Sequence, residues 1–211
     1  MSEILIAIGL ASAAAAGLAA VRSGGRRLLE PPPILTVACC AAIGAVSLLQ
    51  LTIAPGLLTH LMRDGRSVVV SQPWRLVTSL LVQDGGWPGA LFNLTGLLVL
   101  GTLAERLLGR RRWAVVASLS VGIAQVVGLA WQPIGAGNSI LDFGLAGAIC
   151  AAGFSGRAVR PAGIPAGVAF ACFVMLLVTR DIHGAAAVTG ALVQFGSGRS
   201  LHGSQRGSAV D

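Results

Sequence analysis

The chain reads as an all-α, polytopic membrane protein, and three observations point there. It is 55% hydrophobic and only 11% charged over 211 residues, and its mean hydropathy is +0.81. A soluble domain of that size has too little interior to hide so much apolar surface. The apolar runs are long and uninterrupted, without the every-second-residue alternation of a membrane β-barrel. The basic side chains are all arginine, and the net charge is +7. They sit in short connections between apolar runs, which the positive-inside rule explains, so no nucleic-acid partner is expected. Cys39, Cys40, Cys150 and Cys172 lie inside apolar runs without metal-ligand spacing. They read as small buried hydrophobes, and neither a metal nor a cofactor is expected.

The first run, Ile4 to Val21, is about long enough to cross a bilayer. Glu3 precedes it and Arg22, Arg26 and Arg27 follow. That charge order is the reverse of a cleaved signal peptide's and predicts an uncleaved helix with its N-terminus outside. Pro31, Pro32 and Pro33 interrupt the chain, and Ile34 to Ile53 returns outward. Residues 1–33 thus read as an extra transmembrane helix with a cytoplasmic linker, ahead of a main membrane domain over 34–195. Pro55 to Trp87 is the longest interruption. Leu57, Leu58, Leu61 and Met62 make a helical stripe in it, and further apolar patches flank Pro73, Trp74 and Arg75. Two readings stay open for this segment: an amphipathic stretch lying in the membrane interface, or an ordinary loop.

Pro88 to Leu108 crosses inward, and Arg110, Arg111 and Arg112 mark its cytoplasmic end. Trp113 to Ala130 returns outward to a turn at Trp131, Gln132 and Pro133. Gly135 to Phe154 runs inward to Arg157 and Arg160, and Ile164 to Thr179 outward to Arg180 and Asp181. His183 to Phe195 runs inward again, and a Gly/Ser-rich tail over 196–211 is expected to be disordered in the cytoplasm. On this seven-helix topology eleven arginines lie inside (22, 26, 27, 106, 110, 111, 112, 157, 160, 199 and 206), against four outside (63, 66, 75 and 180). Trp87, Trp113 and Trp131 fall at membrane borders. At about 1.5 Å per residue the last span is too short for roughly 30 Å of hydrocarbon, so it borrows from its flanks or is sheltered in a bundle. The lysine-free, Ala/Gly/Arg-rich composition suggests a GC-rich bacterial genome, hence a plasma membrane.

Three polar residues share one depth. The spans carrying Asn93, Ser139 and His183 all run inward, and each residue sits within a turn or two of the outer surface. Side chains of this kind avoid lipid and face the protein interior or a wet cavity. Gly144, Gly147 and Ala148 below Ser139, with Ala186 and Gly190 below His183, are small faces that let two helices come close. Such packing brings a hydroxyl within reach of an imidazole, the minimal activated nucleophile. Asn93 can then donate to a developing oxyanion. Each residue alone has a plainer reading: a serine bonded to its own helix, an interfacial histidine, an interhelical amide. The shared depth is what argues for a site.

At these residues the sequence resembles the rhomboid family of intramembrane serine proteases. Trp74-Arg75 resembles that family's Trp-Arg pair in the first outer loop. Leu91-Phe92-Asn93, followed by Gly101, Glu105 and Gly109, resembles the helix carrying the oxyanion asparagine. Gly137-Asn138-Ser139 with Gly144, Leu145 and Gly147 resembles the nucleophile motif, and His183 with Gly190 the histidine helix. The resemblance covers Ile34 to Phe195 and implies a rhomboid-like six-helix bundle, here with one extra N-terminal transmembrane helix.

The resemblance also implies roles. Ser139 is the expected nucleophile and His183 its base, a dyad without a third acidic member. Asn93 and the Ser139 backbone N–H line the oxyanion hole, and Phe143 packs on the histidine. The implied partners are the lipid bilayer and a transmembrane substrate, cut near the outer face. Three positions depart from the family pattern. Gly89 stands where a second oxyanion histidine is common, Gln83 replaces another histidine, and the bulky Ile140 follows the nucleophile. These departures give the alternative its force: a catalytically inactive relative that binds transmembrane clients. Asp142 is an isolated charge at membrane depth, and two places stay open for it, a water pocket or a pair with Arg180. No inverted repeat supports a transporter.

Overall fold

The computed structural model describes residues 2–25, 27–154 and 159–204. Seven long helices carry the apolar runs: α1 (Ser2–Ser23), α2 (Ile34–Thr52), α6 (Gly86–Leu108), α7 (Arg110–Trp131), α8 (Ser139–Gly153), α9 (Val159–Val178) and α10 (Ile182–Ser204). Between α2 and α6 lie three short helices, α3 (Leu57–Leu61), α4 (Gly65–Val70) and α5 (Arg75–Thr78). β1 (Arg63–Asp64) pairs antiparallel with β2 (Ile134–Gly135), Arg63 opposite Gly135. Among the described residues four helices, α1, α2, α6 and α7, are long and apolar enough to cross a membrane. Together they make a multi-pass, all-α membrane protein.

The centre of the bundle is α8. Its 15 residues span about 22 Å, short of the roughly 30 Å hydrocarbon core. A helix of that length is sheltered rather than lipid-facing: 13 of its residues are buried. Around it α6, α7, α10, α9 and α1 form a ring, each packed on α8 and on its neighbours in the ring. By contrast, α2 stands outside the ring against α6.

The first helix is thus part of the bundle wall. Its buried face carries Gly9, Ala13, Ala16, Gly17 and Ala20, small residues that let backbones approach. A Cβ on Gly17 would come 3.0 Å from Ile149 Cγ2 and 3.1 Å from Leu103 Cδ1. The tightest seam joins α8 to α10. There a Cβ on Gly147 would lie 1.8 Å from the Ala187 carbonyl oxygen, and one on Gly190 1.9 Å from that of Gly144. These two backbones touch.

Several expectations are corrected. α8 begins at Ser139, not at Gly135, because Gly135 is paired in β2 and Gly137 has φ +120°, which no helix accommodates. α7 begins at Arg110, so Trp113 lies inside its first turn. It is buried there and donates its indole N–H to the Gly101 carbonyl at 3.1 Å. The backbone of α10 continues to Ser204 through the first part of the expected tail, as helix propagation fixes one residue per bond gained. Residues 205–211 of that tail, and Arg26, Arg157 and Arg206, lie outside the described residues.

The segment before α6 is a folded cap held by two of the arginines expected on the outer side. The Arg75 guanidinium donates to the Thr59 and Met62 carbonyls at 2.9 and 3.1 Å and also to the Gln72 side chain. Arg63, only 2% exposed, donates to the Gln132 carbonyl at 2.6 Å and to the Gln125 side chain.

Glu105 takes a packing role away from the polar cluster. It lies about three turns along α6 from Asn93, at the other end of the bundle from Ser139. Its carboxylate accepts from the Thr36 backbone N–H and hydroxyl at 3.1 and 3.0 Å and sits 3.5 Å from Arg110 Nε. An anion among the free N–H groups of the α2 N-terminus is favourable. Glu105 therefore anchors α2 to α6 and is no part of the site.

The seam predicts opposite responses to one substitution. Gly147→Ala and Gly190→Ala force the α8 and α10 backbones apart and should cost about 1–3 kcal/mol or more. Gly163→Ala on α9, where a Cβ meets nothing within 4 Å, should be neutral or gain roughly 0.5–1 kcal/mol. Heat denaturation in detergent, followed by helical circular dichroism, distinguishes them. Equal midpoints would refute the seam.

Candidate active site

The close approach of α8 and α10 brings their first residues together. Ser139 opens α8, His183 is the second residue of α10, and Ser139 Oγ lies 2.8 Å from His183 Nε2. The other ring nitrogen, Nδ1, is 2.6 Å from Asp181 Oδ1. Phe143, one turn after Ser139, packs against the imidazole with ring centroids 4.8 Å apart and planes at 53°. The histidine is held from three sides.

Asp181 belongs to the turn between α9 and α10. Arg180, at φ 58°, ends α9 in the left-handed conformation common at helix C-termini. The Asp181 N–H then donates to the Leu176 carbonyl at 2.9 Å. Its carboxylate caps α10 by accepting from the His183 backbone N–H at 3.0 Å. Burial alone would raise the Asp181 pKa, but the hydrogen bonds and charge of His183 outweigh it and hold the carboxyl below its ordinary value.

Asn93 comes to the same place from α6. Its side-chain Nδ2 donates to Gln83 Oε1 at 2.8 Å. Gln83 is itself fixed: its Nε2 donates to Asn138 Oδ1 at 3.0 Å, and its backbone N–H and carbonyl both pair with the Gln50 amide. A Cβ on Gly137 would sit 3.1 Å from Asn93 Nδ2, 3.3 Å from Gln83 Oε1 and 4.0 Å from Ser139 Oγ. Glycine therefore leaves open a small space on which Asn93 and Ser139 converge, and its φ of +120° independently favours glycine. An amide nitrogen carries two hydrogens, so Asn93 keeps one donor for that space. The Ser139 N–H, at the first position of α8, has no intrahelical acceptor.

Asn93, Gly137, Ser139, Phe143 and His183 line a cavity of about 490 Å³, together with Arg63, Asp84 and, from α1, Glu3 and Ile6. Gly144, Gly147 and Gly190 lie below it in the α8–α10 seam. Trp74 is 53% exposed and does not line the cavity, whereas Arg75 supports the cap. Asp142 takes neither of the places left open for it. It is 2% exposed, and both its oxygens accept from Asn138 Nδ2 at 3.3 Å.

Sequence reasoning missed four contributors. Asp181 carried a signal, since an aspartate just before a helix start is a capping residue whose carboxylate reaches the next residues. Gln83 entered only as a departure from a pattern, yet it positions Asn93. Glu3 and Ile6 carried no signal, because their place depends on where α1 packs.

The family model of the Rhomboid domain matches residues 70–201. A comparison with curated proteins returns no match. The matched stretch is more than half of the chain and holds Gln83, Asn93, Ser139, Asp181 and His183, so the protein belongs to the rhomboid family.

Proposed function

We propose that the protein is an intramembrane serine protease that hydrolyses peptide bonds in the transmembrane segments of other proteins. The observation that carries this reading is the 2.8 Å contact between Ser139 Oγ and His183 Nε2 at the wall of a cavity. Ser139 Oγ attacks the scissile carbonyl while His183 Nε2 takes its proton, and the imidazolium returns that proton to the leaving amine. Water then attacks the acyl-Ser139 ester, His183 again accepting a proton, and the serine is regenerated. Asn93 and the Ser139 N–H donate to the oxyanion of both tetrahedral intermediates. The Ser139 end is assigned to the outer face of a plasma membrane, because Arg106, Arg110, Arg111 and Arg112 cluster at the opposite end.

A second reading has its own support. Position 89, one turn before Asn93, is a glycine, so no side chain supplies a second oxyanion donor from there. On this reading the protein binds transmembrane clients without cutting them.

Labelling of the detergent-purified protein with a fluorophosphonate, beside Ser139→Ala and His183→Ala, separates the two. The protease reading expects labelling of the wild type, its loss in both variants, and cleavage of a transmembrane substrate abolished by Ser139→Ala. Equal cleavage by Ser139→Ala overturns it. Clients that co-purify equally with wild type and Ser139→Ala, with no cleavage product, establish the binding reading.

Two further variants probe the oxyanion space. Asn93→Ala should lower the cleavage rate about 10²–10³-fold. Gly89→His, entering open space on the face of Asn93, should raise it. An unchanged rate in Asn93→Ala removes the amide from the mechanism.

A further inference from the structure

We infer that Asp181 is the third member of the catalytic group, a positioning residue that holds His183 in the reactive tautomer and stabilises its imidazolium. The inference rests on the protease reading and adds a residue to it. A carboxylate only accepts hydrogen bonds. At 2.6 Å from Asp181 Oδ1, His183 Nδ1 therefore carries the proton. Nε2 is left with its lone pair directed at the Ser139 hydroxyl, the arrangement a general base needs. When Ser139 transfers its proton to Nε2, the positive charge forms beside an ionised carboxylate. Asp181 does not take that proton, which goes on to the leaving amine.

Asp181 is well placed for this. The Asp181 and His183 side chains are 12% and 19% exposed, so water screens the pair only in part. Its second bond, to the His183 backbone N–H at 3.0 Å, fixes the carboxylate against the same residue whose ring it orients. Other titratable groups approach from the surrounding elements: Glu3 from α1, Arg63 from β1, Asp84 before α6, and Asp142 one turn below Ser139. Asp84 accepts from the Ala136 N–H, Arg63 is bonded to Gln125 and Gln132, and Asp142 is bonded to Asn138. Among the described residues, Asp181 is the acidic group paired with His183.

The plain alternative is that Asp181 merely caps α10. Asp181→Asn and Asp181→Ser separate the two roles, because both residues cap helices well and neither supplies a charge to Nδ1. Thermal midpoints near wild type would confirm that the fold is retained. Fluorophosphonate labelling and substrate cleavage should then fall roughly 10²–10⁴-fold, the scale set by loss of the acid in a Ser-His-Asp triad. The sign of the pH effect follows from charge. Without the carboxylate the imidazolium is less stable, so the acid limb of the rate profile moves to lower pH while the plateau drops.

A readout independent of hydrolysis is the ¹⁵N spectrum of histidine-labelled protein in micelles, with His183 assigned through His183→Gln. Wild type should show a protonated Nδ1 and an unprotonated Nε2, and Asp181→Asn should lose that preference. An unchanged tautomer together with an unchanged pH profile overturns the inference. If the tautomer shifts but the wild type never labels, the hold of Asp181 on His183 stands and the protease reading fails.

Discussion

The contact on which the rest depends is between two backbones. At Gly147 and Gly190 the α8 and α10 chains meet with no side chain between them. Lipid is as apolar as leucine, so burying apolar side chains gives two membrane helices little reason to associate. Close packing of many atoms supplies it instead. One added carbon at either glycine would separate the axes. The distance from Ser139 Oγ to His183 Nε2 is set at the top of that seam, so chemistry at the mouth depends on packing further down.

The second constraint is dielectric. A hydroxyl, an imidazole, four carboxyl groups and several amides converge at one end of an apolar bundle, where an unpaired polar group is costly. The structure meets that cost with a connected network. Gln50 fixes Gln83, Gln83 fixes Asn93 and Asn138, and Asn138 bonds Asp142 and the Asn93 carbonyl. Arg63 and Arg75, drawn into the cap as donors to carbonyls, serve the same end. Partners of this kind also hold rotamers, and the proposed protease needs its nucleophile, base and oxyanion donor held within a few ångströms.

The position of α1 shapes what surrounds the site. It closes the ring between α6 and α9, and its first turns place Glu3 and Ile6 on the cavity wall. The cavity is therefore bounded partly by a helix that lies outside the matched Rhomboid domain.

Much of this was legible from the chain alone. Hydropathy and arginine placement determine seven apolar helices, because each apolar run must cross or be sheltered, whatever its neighbours are. Spans that run in the same direction place Asn93, Ser139 and His183 at one depth, because helical rise is fixed per residue. The small faces below Ser139 and His183 point to a close helix pair for a reason equally local. Only the tertiary structure decided the rest. That Asp181 turns its carboxylate to Nδ1, that Gln83 orients Asn93, that Glu105 anchors the far end, that Trp113 is buried and that α1 closes the ring all depend on which helix faces which. Periodicity and charge specify how deep a residue sits and on which face of its own helix. They do not specify the neighbour that face meets, because that choice is made by packing summed over the whole bundle.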